Sequence, residues 1–173
     1  MGVILIYMKI SENFYQFKDE KALIIISGTE EAKIFEGENG IMNSLGSINA
    51  QEIKYSDKEG FFASRVRGIS SALKAKGIGL GSGSTLKDVN RKERTEFLKM
   101  LGKKYGELKN NGYDYIALTA PSHALPEIID CLNIPKGEVE KTVNIIKKGN
   151  YLDYSPEKIL GIITEKMAPL AKK

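Results

Sequence analysis

The clearest hydrophobic pattern in the chain is Ala22 to Ser27 (ALIIIS), a short, almost wholly apolar, β-branched run. Such a run predicts a central strand buried on both faces. Gly28 follows, and Ala32 to Phe35 predicts a second strand. Gly37 to Gly40 (GENG) ends in Asn-Gly, the strongest short-range hairpin signal. Ile41 to Ile53 then predicts a third, less regular strand.

Further along, Asn90 and Glu93 stand in the Asn-x-x-Glu spacing of a capping box and predict a helix start. Leu98, Leu101, Tyr105 and Leu108 recur on one helical face, with Phe97 beside them. Gly102 and Gly106 weaken this helix by about 1 kcal/mol each relative to alanine. Their i, i+4 spacing is expected to let the helix backbone approach a sheet closely. Asn110, Asn111 and Gly112 predict its end. Tyr113 to Thr119 predicts a fourth strand, Pro121 to Leu132 a short helix, and Val139 to Ile146 a fifth strand interrupted by Asn144. Ser155 and Pro156 open a last helix with Ile159, Leu160, Ile163 and Met167 on its inner face.

The predicted order is β-β-β-α-β-α-β-α. It describes a single α/β domain with a mixed five-stranded sheet and covering helices, an order shared by ribonuclease-H-like folds. Residues 1–20 are expected to be an N-terminal extension and 21–173 the domain. Met8 is an alternative start to Met1.

Between Gly60 and Asn90 the pattern builds no obvious core. The stretch contains Gly77, Gly79, Gly81, Ser82, Gly83 and Ser84, the signature of a flexible loop. Arg65, Arg67, Lys74, Lys76 and Lys87 face one acid, Asp88. Arg91, Lys92 and Arg94 follow, giving eight basic and two acidic residues between Arg65 and Arg94. A cationic loop beside a helix suits phosphate or nucleic acid, and each phosphate contact adds to the salt dependence of binding. A basic loop that is simply solvated is the competing reading. The glycines do not follow GxGxxG spacing, and Lys87 comes too late for a P-loop, so a nucleotide cradle is disfavoured.

Composition narrows this picture without overturning it. With 173 residues, the chain can bury roughly 70% of its unfolded surface as one domain. A net charge of +4 means that only local concentration of cations points to a polyanion. The single cysteine, Cys131, excludes an intrachain disulfide and a Cys-cluster zinc site, and its apolar context predicts an inert buried thiol. MGVILIYMKI is too short an apolar run for a membrane span and lacks a signal-peptide pattern, so a cytoplasmic location is expected.

Catalytic chemistry finds few footholds. A ribonuclease-H-like nuclease needs carboxylates converging on Mg²⁺, one of them on the first strand, which here ends Ile26-Ser27-Gly28. Glu30 and Glu31 fall in the turn that follows. No metal site and no cofactor are expected. His123 is the only histidine, so any Ser-His or Cys-His mechanism must use it. A surface position on the first turn of a helix is its simpler reading.

The segments ALIIISGTEEAKIFEGENG, KERTEFLKML, YDYIALTAPSHALPEI and YSPEKIL, with the loop between the first two, resemble the bacterial host-attachment protein family. That family is grouped with bacterial relatives of the archaeo-eukaryotic release factor middle domain. The resemblance spans Lys21 to Met167 and rests on hydrophobic patterns with scattered residues. It implies the element order of the release-factor domain, whose Gly-rich loop precedes an Arg/Lys-rich helix and reaches the ribosome's peptidyl-transferase centre. Gly81-Ser82-Gly83-Ser84 occupies the place of the release-factor domain's Gly-Gly-Gln loop, but no glutamine is present there. Peptidyl-tRNA hydrolysis therefore does not carry over with the resemblance. Ser27, and the Ile145-Ile146-Lys147-Lys148 stretch, stand where host-attachment relatives tend to carry acids.

Together these readings favour a non-catalytic RNA- or ribosome-associated module, with tRNA or rRNA as partner and Arg65, Arg67, Lys74, Lys76, Lys87, Arg91, Lys92 and Arg94 as phosphate contacts. A protein-interaction or host-attachment factor, and a peptidyl-tRNA (ester) hydrolase using His123, remain alternatives.

Overall fold

The computed structural model describes residues 7–50 and 83–167. It is an α/β structure built on a mixed, open six-stranded sheet. The strands are β1 (Tyr7–Lys9), β2 (Lys21–Ser27), β3 (Glu31–Glu38), β4 (Ile41–Asn49), β5 (Tyr115–Ala120) and β6 (Ile145–Lys148). The helices are α1 (Gly83–Leu108), α2 (Leu125–Cys131), α3 (Val139–Thr142) and α4 (Pro156–Met167), with a 3₁₀ turn at Lys136–Glu138.

The strands lie in the order β1-β4-β3-β2-β5-β6. β2, β3 and β4 form an antiparallel meander, whereas β5 runs parallel to β2 and β6 parallel to β5. β2 is central, and every residue from Ala22 to Ser27 is buried, as its unbroken apolar run predicts. The β3–β4 connection is the expected two-residue turn. Asn39 and Gly40 both take positive φ (46° and 77°), which these residue types tolerate best.

The sheet has six strands rather than the five expected. The addition is β1, which pairs antiparallel with β4 at the edge. Ile10 and Phe17 are buried in the core, so residues 7–20 belong to this body and are not a mere extension. Three residues are too few to display an alternating pattern, which is why β1 was not legible.

Alternation along the strands sends side chains to two cores. Leu23, Ile25, Ile34, Ile116 and Leu118 pack under α1 and α2, with Phe97, Leu101, Tyr105 and Ile128. Ala22, Ile24, Ile26, Ala117 and Ile145 face the other way, against Ile159, Leu160 and Ile163 of α4 and against Ile10 and Phe17. The result is three layers, helix on sheet on helix.

Two element boundaries differ from expectation. Helix α1 starts at Gly83, so Gly83, Ser84 and Lys87 stand on a helix rather than in a flexible loop. Asn90 therefore lies inside the helix rather than at its start. Val139–Thr142 is helical, and the last strand begins only at Ile145. Asn144, taken as an interruption, instead closes the strand edge: its Oδ1 accepts a hydrogen bond from the Ile116 amide at 2.9 Å.

Candidate functional site

Helix α1 has 26 residues and is about 39 Å long at 1.5 Å per residue. It carries Lys87, Arg91, Lys92, Arg94, Lys99, Lys103 and Lys104 against Asp88, Glu93, Glu96 and Glu107, a net charge of 7 − 4 = +3. The whole chain has a net charge of +4. Phe97, Leu101 and Tyr105 are buried at i, i+4 and i+8 and fasten one side of the helix to the sheet. Lys92, Lys99 and Lys103 occur seven and eleven residues apart on the opposite, exposed side, and Arg91 is exposed beside them.

The body neutralises some of these cations. Arg94 Nε donates to Glu127 Oε2 of α2 at 2.7 Å, and Lys99 pairs with Glu96 at 3.1 Å within the helix. Arg91, Lys92, Lys103 and Lys104 make no ion pair among the described residues. Of the phosphate contacts expected from the sequence, Arg91 and Lys92 are exposed and available, while Arg94 is tied to Glu127. Lys87 lies on α1. Arg65, Arg67, Lys74 and Lys76, with Gly77, Gly79, Gly81 and Ser82, lie outside the described residues.

A groove of about 420 Å³ runs beside this face, lined by Thr95, Leu98, Lys99, Gly102, Lys103 and Cys131 with Asn133. Gly102 lets α1 and α2 close on each other there: a Cβ on it would stand 2.3 Å from the Cys131 carbonyl oxygen. The close approach is thus to a helix end, not to the sheet, and Gly106 faces open space. Sequence reasoning stopped its basic patch at Arg94 and missed Lys99 and Lys103. The signal was present, since both alternate with the apolar stripe at helical spacing.

Cys131 is half-buried, and its thiol donates to the Ile128 carbonyl at 3.0 Å. Burial, aided by the Asp130 carboxylate, pushes its pKa up to about 11, which suits an unreactive thiol. His123 is exposed in the turn between β5 and α2 and makes no side-chain hydrogen bond with described residues.

At the carboxyl ends of the parallel strands, Ser27 and Thr119 are the two buried polar residues among those described. Ser27 Oγ donates to the Gly28 carbonyl at 3.1 Å, whereas Thr119 Oγ1 has no hydrogen-bond partner among the described residues. At the opposite end, Glu20 accepts from both Tyr15 and Tyr115, and Glu36 accepts from Tyr113 at 2.8 Å while pairing with Lys21 at 3.2 Å. These contacts absorb the carboxylates at that end of the sheet into structure.

Among the described residues, no cluster of His, Cys, Asp and Glu could hold a metal ion, and no helix is long and apolar enough to cross a membrane. Compared with protein-family models and with curated proteins, the chain matches none.

Proposed function

We propose that this protein is a non-catalytic, cytoplasmic RNA- or ribosome-associated module that grips phosphates with the outward side of α1. The observation that carries the reading is the pairing of a buried apolar stripe with an exposed cationic one on the same long helix. Helix α1 carries a net charge of +3, in a chain whose net charge is +4. Arg91, Lys92 and Lys103 are held on a rigid helix, exposed, and not engaged by carboxylates of the described body.

The groove lining contributes Lys99 and Lys103 but no aromatic ring on which a base could stack. Binding is therefore governed by phosphate charge and tolerates sequence variation. The order β4-β3-β2-β5-β6, with only the last two parallel to β2, supports a ribonuclease-H-like arrangement. It is compatible with kinship to the host-attachment and release-factor middle-domain families.

Filter binding of tRNA and of ribosomes across a salt series is the test. Affinity that is measurable at low salt and falls steadily as salt rises supports the reading. Binding that is absent at low salt, or indifferent to salt, contradicts it.

A further inference from the structure

On the face of the sheet away from α1, the strand registers bring four side chains into one row. Lys33 of β3 pairs with Ile26 of β2, Ile26 with Thr119 of β5, and Thr119 with Lys147 of β6. Directly paired residues point to the same side, about 5 Å apart at Cβ. Lys147 is thus the immediate neighbour of Thr119, and Lys33 stands two strands away, about 10 Å. The row lies at the carboxyl ends of the parallel strands, the edge at which open α/β sheets take ligands.

Thr119 is 1% exposed, yet its hydroxyl has no hydrogen-bond partner among the described residues. Buried polar groups in folded proteins are overwhelmingly hydrogen-bonded, and valine would occupy the same volume without an orphaned hydroxyl. The segment from Gly149 to Ser155 crosses beside this row. Lys33 Nζ donates to the Leu152 carbonyl at 2.7 Å, and the Gly149 amide donates to the Ala120 carbonyl at 2.9 Å. Leu152 Cδ1 sits so close to Gly28 that a Cβ there would come within 2.4 Å. Lys33 is therefore engaged by the strap, whereas half-buried Lys147 makes no ion pair among the described residues. The strap leads straight into α4, a helix of 12 residues whose N-terminal dipole adds positive potential at this edge.

We propose that Thr119 Oγ1 and Lys147 Nζ form a subsite for a small phosphate-bearing molecule. The Gly149–Ser155 strap is its cover, and Lys33 is the second cation, released to the ligand when the strap lifts. The Thr119 hydroxyl and the Lys147 ammonium both donate to the oxyanion, and charge-assisted bonds of this kind are the strong ones. This site lies on the face of the sheet opposite α1, so it stands or falls independently of the RNA reading.

The test is a titration of the full chain with inorganic phosphate, followed by NMR shifts of the Thr119, Ala120, Gly149 and Leu152 amides at constant ionic strength. Saturable shifts at these amides are expected in the wild type. Thr119→Val and Lys147→Met each weaken binding by at least about tenfold, the effect of losing one hydrogen bond to a charged group. Lys136→Met, which removes an exposed charge elsewhere, leaves it unchanged. Thr119→Val is also expected to be no less heat-stable than the wild type. If that variant fails to fold, Lys147→Met decides the matter alone. Absence of saturable shifts in the wild type, or undiminished binding by Lys147→Met, overturns the proposal.

Discussion

The backbone of Gly102 in α1 presses on the carbonyl of Cys131 at the end of α2, so closely that a Cβ would lie 2.3 Å from that oxygen. Four residues on, Gly106 has nothing within 4 Å of the same position. Two glycines on one helix therefore carry opposite expectations. Gly106→Ala should stabilise by about 1 kcal/mol through helix propensity. Gly102→Ala gains the same propensity but must push two helices apart, and overpacking of this kind costs about 1–3 kcal/mol. Thermal unfolding of the two variants should shift in opposite directions, or leave Gly102→Ala clearly below Gly106→Ala.

The ion pair between Arg94 and Glu127 restrains a cation that would otherwise join the exposed set on α1. Exposed pairs of this kind contribute about 0–1 kcal/mol to stability, so Glu127→Gln should fold normally. It should also bind RNA more tightly than the wild type and with a steeper salt dependence, because one more phosphate contact adds about 0.7–0.9 to the slope. Weaker RNA binding by Glu127→Gln would count against α1 as the contact surface.

Burial raises the pKa of the Cys131 thiol above its ordinary value, to about 11. That rise leaves roughly a hundredfold less thiolate at neutral pH, and only the thiolate attacks alkylating reagents. Alkylation of the folded protein at pH 7 should accordingly be about a hundredfold slower than in denaturant. A folded-state rate near the denatured one would show that Cys131 is more open than its surroundings indicate.

Tyr113 is half-buried and hydrogen-bonded to Glu36, and its pKa is pushed up to about 12, by burial first and by that carboxylate second. Below the unfolded value near 10, both states keep the phenol proton and its stabilisation is fully present. Between about 10 and about 12 the unfolded chain releases a proton that the folded chain retains, so stability falls as pH rises and the contribution is lost above the folded value. The stability advantage of wild type over Tyr113→Phe should therefore narrow across that window. Denaturant unfolding at a series of alkaline pH values measures it, and a constant difference would contradict the assignment.

Strong local patterns were legible in the sequence. The ALIIIS run forms the central strand, Asn39-Gly40 forms the two-residue turn between β3 and β4, and Ile159, Leu160 and Ile163 form the buried side of α4. The failures have physical causes. Gly83-Ser84-Thr85 are poor helix formers, so propensity placed the start of α1 seven residues late, at a capping spacing that the fold does not use. Val139 and Thr142 are β-branched but follow a 3₁₀ turn and stay helical, where local propensity alone favours a strand. At the site, Arg91 and Lys92 were legible from charge. The capture of Arg94 by Glu127 was not, because it joins positions 33 residues apart. The row of Lys33, Thr119 and Lys147 depends on registers between four strands, which no local window reveals.

The exposed cations on α1 are proposed to bind the RNA backbone. The most direct measurement compares tRNA affinity of the wild type with that of an Arg91→Glu/Lys92→Glu double variant across a salt series. Both positions are exposed and outside the core, so the fold should be retained. We expect the double variant to bind more weakly at low salt, with a salt slope reduced by about 0.7–0.9 for each lost phosphate contact. Equal affinity and an unchanged slope in the two proteins would contradict the account.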